Sequence, residues 1–160
     1  VVPSQEAAIQ EILSEMTGAA SREGRGLDSL TAVESFVDQT IASQAWISCR
    51  YFIQPMVVRV RSGTSERFSA DYLGYSLWEC DVELPPFMWT PSGVCHILAH
   101  VGMSRVVRQE PHGPAFARAW WYLVRHCIGT AEADELQRAY ARLGVAWWWP
   151  ERGDIDWRRR

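Results

Sequence analysis

The segment CHILAHVG (residues 95–102) carries two histidines, His96 and His100, four positions apart. On a helix that spacing puts both imidazoles on one face, with Cβ atoms roughly 5–6 Å apart. Both can then reach one zinc ion at about 2.0–2.1 Å. Further along, His112 stands in HGPAF (112–116), just before a proline that opens a helix, so a loop can turn a third imidazole back toward the pair. Three protein ligands and an open fourth position are what a catalytic zinc site requires. The position after the first histidine, where a zinc hydrolase carries glutamate, is Ile97. A bare HxxxH pair also arises by chance. The histidines alone therefore leave three readings open: a metalloenzyme, a metal site without its base, and a helix with two histidines and no metal.

The residues around the pair specify the helix that must carry it. Thr90 followed by Pro91 is a cap and first-turn signature, and the helix should end near Met103, weakened by Gly102. Pro114 opens another helix, PAFARAWWYLVRHCIG, which Gly129 closes. His126, at its C-terminal end where the dipole favours a cation, reads as a structural or surface residue. Thr130 is the expected cap of AEADELQRAYARLG, closed by Gly144. Near the start, Ser4 caps an amphipathic helix with Ile9, Ile12, Leu13 and Met16 on one face and Gly18 as its stop. The small, polar GAASREGRG (18–26) reads as a flexible linker or surface loop. Thr31 and Glu34 fit a capping box for a second helix that runs to about Ala45.

Between these helices the period changes. MVVRVRSG (56–63), SADYLGYSLWE (69–79) and DVELPPF (81–87) are rich in β-branched and aromatic residues, which predicts a small sheet of about three strands. Pro85 and Pro86 must end the last one, because proline cannot donate into a ladder. The order is an α+β pattern. It divides into an N-terminal amphipathic helix (1–17), a flexible linker or loop (18–27) and one domain (28–160).

Composition narrows the function classes. With 160 residues the chain is long enough for a core without disulfide or metal staples. Its net charge of −3 gives no global basic field for nucleic acid. The basic run WRRR at the C-terminus reads as a solvated tail. There is no apolar run long enough for a membrane span and no leader-like start, so a cytoplasmic protein is expected. Cys49, Cys80, Cys95 and Cys127 are too far apart for a zinc knuckle or redox pair and read as reduced core thiols. The tryptophans of AWWWP (146–150) are either core or an exposed interface anchor.

The strand end VELP (82–85), the helix HILAH (96–100), the HGPAF that opens the next helix and the final ARLGV (141–145) appear together in this order. In that combination the chain from about Ser29 to Val145 resembles a metallohydrolase family of actinobacteria and their phages, itself similar to the SprT-like zincin metalloproteases. The helix FVDQTIASQAW (36–46) is also similar to the family's early helix. The resemblance implies a zincin-like single domain, a small sheet packed with helices, and a metal-site helix followed by two C-terminal helices. It also implies Zn²⁺ held by His96, His100 and His112.

The family's glutamate does not carry over. In a zincin it takes the proton from the attacking water and hands it to the leaving group, which isoleucine cannot do. Carboxylates elsewhere that could take over are Glu79, Asp81, Glu83 and Glu110, and Tyr75, Tyr122 and Tyr140 could each bring a phenol. The expectation is a zinc-binding protein whose hydrolysis is lost or weakened and which acts by binding a macromolecular partner, such as a host or cellular protein. The alternatives are an active zinc-dependent hydrolase or peptidase with a different base, and a metal-free interaction module.

Overall fold

A computed structural model describes residues 3–54, 56–73, 77–106 and 110–156. In chain order its elements are α1 (Gln5–Arg22), α2 (Leu30–Ile41), α3 (Gln44–Ser48), β1 (Met56–Ser62), β2 (Arg67–Leu73), β3 (Leu77–Leu84), α4 (Pro91–Gly102), α5 (Pro114–Cys127) and α6 (Thr130–Leu143). This is the α+β class expected, with one three-stranded sheet. The strand order is β1-β3-β2, with β3 in the centre, parallel to β1 and antiparallel to β2.

Alternation along β3 explains how the sheet sits. Trp78, Cys80, Val82 and Leu84 are buried, while Glu79, Asp81 and Glu83 face outward into pairs with Arg59, Arg61 and Arg67. The inner face joins a core that also takes Ile9, Ile12 and Leu13 of α1, Val33 and Val37 of α2, and Phe116, Trp120 and Leu123 of α5. Helix α4 runs through this core, packed against α1, α2, α5 and β2. Thr90 caps it by accepting the Gly93 N–H at 3.0 Å, as the sequence predicts.

Several boundaries differ from the sequence expectation. Gly18 does not stop α1. Ala19 and Ala20 favour helix and Ala20 is buried, so the helix continues to Arg22. The rest of the expected linker is a turn at Gly24 (φ 69°), tied by Arg25 N–H to Ala20 O and by Leu27 N–H to Trp89 O. The cap of α2 is Ser29, whose hydroxyl accepts from Ala32 N–H, rather than Thr31. Helix also breaks before Ala45, at the Ser43 cap that starts α3. Thr130 lies inside α6, its hydroxyl accepting from Arg125 instead of capping. The sheet has the expected number of strands but a different division: LWECDVEL forms one strand, not the ends of two. The WRRR tail and Tyr75 lie outside the described residues.

The three tryptophans split their roles. Trp147 packs on Trp121 and Tyr140, and Trp149 stacks on Tyr51 with ring centroids 4.7 Å apart. The Arg118 guanidinium lies over Trp121 and Trp147. Trp148 turns outward and is 60% exposed.

Candidate metal centre

Helix α4 places His96 and His100 one turn apart with ring centroids 5.1 Å apart. The third imidazole arrives by a turn in which the Gly113 N–H donates to Glu110 O, after which Pro114 starts α5. His112 is thereby brought to 3.1 Å from His100, Nε2 to Nε2. Ligand atoms of all three histidines lie within 4.8 Å of one another. Nitrogens sharing one zinc at about 2.0–2.1 Å stand on the order of 3.3 Å apart, so the His100–His112 pair is at ligand spacing and the whole set lies within reach of it. The sequence-derived trio is thus brought together.

Two carboxylates that the sequence reading missed hold the outer ring nitrogens. Glu66 Oε1 lies 2.6 Å from His96 Nδ1, and Glu6 Oε2 lies 2.6 Å from His112 Nδ1. A carboxylate at Nδ1 favours the proton on that nitrogen, and in the neutral form of the ring Nε2 is then the lone-pair atom. His96 Nε2 has no hydrogen-bond partner and is fully buried, a position that normally costs free energy. His112 Nε2 and His100 Nε2 face each other at 3.1 Å, close enough to share a proton or a cation. An unsatisfied buried acceptor facing two further imidazole nitrogens is the arrangement a cation completes.

Electrostatics agree with ligand chemistry. Burial, then the neighbouring His112, holds His96 well below the usual histidine value. Burial and the nearby His96 bring His100 down to about 3. Both are neutral at physiological pH, as metal ligation needs. Burial pushes Glu66 up, against the pull of His100 and His112. Partial burial also acts to raise Glu6, but its hydrogen bond and charge interaction with His112 outweigh this and hold it low. Aromatic rings wall the cluster: Phe116 stacks on His100 at 4.2 Å between centroids, Trp120 meets His96 edge-on at 4.9 Å, and Phe68 lies 6.2 Å from His100.

The other residues considered from sequence lie elsewhere. Ile97 is 1% exposed within the apolar core. Glu79, Asp81 and Glu83 are engaged by arginines on the outer face of the sheet, and Glu110 is exposed. The Tyr122 hydroxyl donates to Ala45 O and that of Tyr140 to Ala117 O. His126 packs on Tyr122, outside the cluster. Cys95 is buried, and burial pushes its thiol well up, so it is no thiolate.

Comparison with protein-family models, with curated proteins and with solved structures gave no match. No helix among the described residues is long and apolar enough to cross a membrane.

Proposed function

We propose that the chain is a zinc-binding protein of zincin-like plan, in which hydrolysis is lost or weakened and which acts by binding a macromolecular partner. The observation that carries the metal reading is the buried, unpartnered His96 Nε2 facing His100 and His112. Three imidazoles suit zinc, copper, iron and nickel alike, and zinc is taken as the ion because three such ligands with an open position are a catalytic zinc donor set. When bound, such an ion would acidify a water and polarise a carbonyl. The likeness of HILAH, HGPAF and VELP to the actinobacterial and phage metallohydrolases, and through them to SprT-like zincins, supports the same plan.

What the chain's own residues supply is holding rather than proton transfer. His96, His100 and His112 provide the nitrogens, and Phe116, Phe68 and Trp120 limit water around them. Ile97, at the position of the missing base, contributes only apolar packing. General base catalysis is typically worth about 10²- to 10⁴-fold, so efficient hydrolysis by the usual zincin route is not expected. The partner reading follows from that loss, and the exposed Trp148 is a ready anchor of the kind that dominates interfaces.

A second reading, an active hydrolase with another base, has one observation in its favour: Glu66 reaches the cluster. Its contact is with Nδ1 of His96, across the ring from Nε2, which suits a carboxylate that orients a ligand better than one that takes a proton at the ion.

The test is zinc-loaded wild-type protein assayed for hydrolysis of an unfolded protein substrate, with and without chelator, beside Glu66→Gln. About one zinc per chain with no chelator-sensitive turnover supports the proposal. Robust chelator-sensitive turnover overturns it, and loss of that turnover in Glu66→Gln while zinc is retained would install the second reading.

A further inference from the structure

Resting on the zinc-binding reading, we infer that Glu6 and Glu66 are positioning residues of the metal centre, setting its affinity through ligand orientation and charge. By this assignment the N-terminal helix α1 is part of the site.

Both carboxylates sit at the same ring atom of their histidines, Nδ1, at the same 2.6 Å. Each thereby fixes the plane of its ring, and in the neutral imidazole leaves Nε2 as the nitrogen free to ligate. They arrive from unrelated parts of the chain: Glu6 from the first turn of α1, and Glu66 from the connection between β1 and β2, which crosses the C-terminal end of β3. The Ser4 cap fixes the start of α1, and Gln5 locks it to the C-terminal segment by exchanging two hydrogen bonds with Ala146. The turn that carries Glu6 is thus held at both sides.

Charge gives the second argument. The only ion pairs found for Glu6 and Glu66 among the described residues are with these histidines, which are neutral when they ligate. Glu66 keeps only 18% of its side chain exposed, where a carboxylate without a cation is costly, whereas Glu6 keeps 55% and is tied to the site by its contact with His112 rather than by burial. Three neutral imidazoles and two carboxylates carry the charge that a divalent ion cancels. Neutrality matters where the surroundings screen poorly, and His96 is 0% and His112 7% exposed. A surface role for these carboxylates would require neither the shared ring atom nor the buried partners.

The experiment measures Zn²⁺ affinity of the full chain by competition with a chromophoric chelator, together with the Co²⁺ absorption spectrum and the metal-free melting temperature. Wild type is compared with Glu6→Gln, Glu66→Gln, the double Gln variant, the two Ala variants, and Glu15→Gln, a surface carboxylate paired with Arg142. Glutamine keeps an acceptor for Nδ1–H and removes the charge, so the Gln variants carry the test if alanine impairs folding. The expected result is a loss of about 10- to 100-fold in zinc affinity for each Glu6 or Glu66 variant. The double variant should lose more, the Co²⁺ spectrum should change, and Glu15→Gln should match wild type. Gln variants that bind zinc as wild type overturn the inference while leaving the zinc reading standing. A wild type that binds no zinc removes the reading itself and this inference with it.

Discussion

Replacing Ile97 with glutamate returns the group whose absence defines the proposed chemistry, and the structure sets what the change should do. Ile97 is 1% exposed, so the substitution forfeits about 1.5–3 kcal/mol of apolar burial and adds the cost of a desolvated carboxylate. Against a total stability of roughly 5–15 kcal/mol, the metal-free variant should fold but melt lower. At about 2–4 °C per kcal/mol for a chain of this size, the fall is at least roughly 3 °C. Zinc should restore part of it, because the ion gives the new carboxylate a countercharge. Burial should also push that carboxyl up, toward the range useful for a base. With zinc bound, turnover of an unfolded protein substrate should rise by about 10²- to 10⁴-fold over wild type, equivalent to roughly 3–5.5 kcal/mol of barrier. Ile97→Gln, polar but unable to take a proton, should stay at the wild-type level. The reasoning is refuted if wild type already turns over as fast as Ile97→Glu. It is refuted equally if Ile97→Glu folds and holds zinc yet matches Ile97→Gln.

Three further outcomes follow from the same packing. His96 and His100 are held below the 6.5 of a free imidazole, so the unfolded chain binds more protons than the folded one and stability rises with pH. Metal-free protein should be most stable above about pH 6.5 and lose stability as the pH falls toward the folded value near 3 of His100; a flat melting temperature between pH 7.5 and 5 would contradict this. A Cβ at Gly93 would lie 2.5 Å from Met88 O, so Gly93→Ala should cost about 1–3 kcal/mol by overpacking, read by urea denaturation, whereas a cost near zero would mean that α4 is free to shift. Trp120 is fully buried and Trp148 is 60% exposed, so Trp120→Ala should cost about 3–5 kcal/mol and Trp148→Ala should stay within about 0.5 kcal/mol; equal effects would show that the C-terminal segment packs differently.

How much of this was legible in the sequence depended on whether the signal was local. Thr90, Pro91 and Pro114 mark helix starts by their own chemistry, and the i, i+4 spacing of His96 and His100 fixes their shared face. Helix ends and strand breaks were harder. Gly18 reads as a stop, yet Ala20 is drawn into the core and the helix continues. The pattern divides WECDVEL at Cys80, yet β3 runs unbroken from Leu77 to Leu84 and Cys80 is buried beside Val82 on its inner face. Within the site, the three histidines were readable, but Glu6 and Glu66 were not. Glu6 meets a partner 106 residues away and Glu66 one 30 residues away, and no spacing rule connects them. An exposed-looking glutamate in a helix's first turn is most simply a dipole partner. Only the folded arrangement shows that its carboxylate is turned onto an imidazole.

Everything proposed for this protein depends on His96, His100 and His112 holding one metal ion. That ligation is tested most directly by elemental mass spectrometry on protein purified without chelator or metal-affinity resin, with His112→Ala as the comparison. About one zinc per wild-type chain, lost in the variant, is expected. Wild-type protein without metal, and unable to take up added zinc, would contradict it and leave the cluster as inherited scaffold, with Trp148 and the surface around it as the place to seek function.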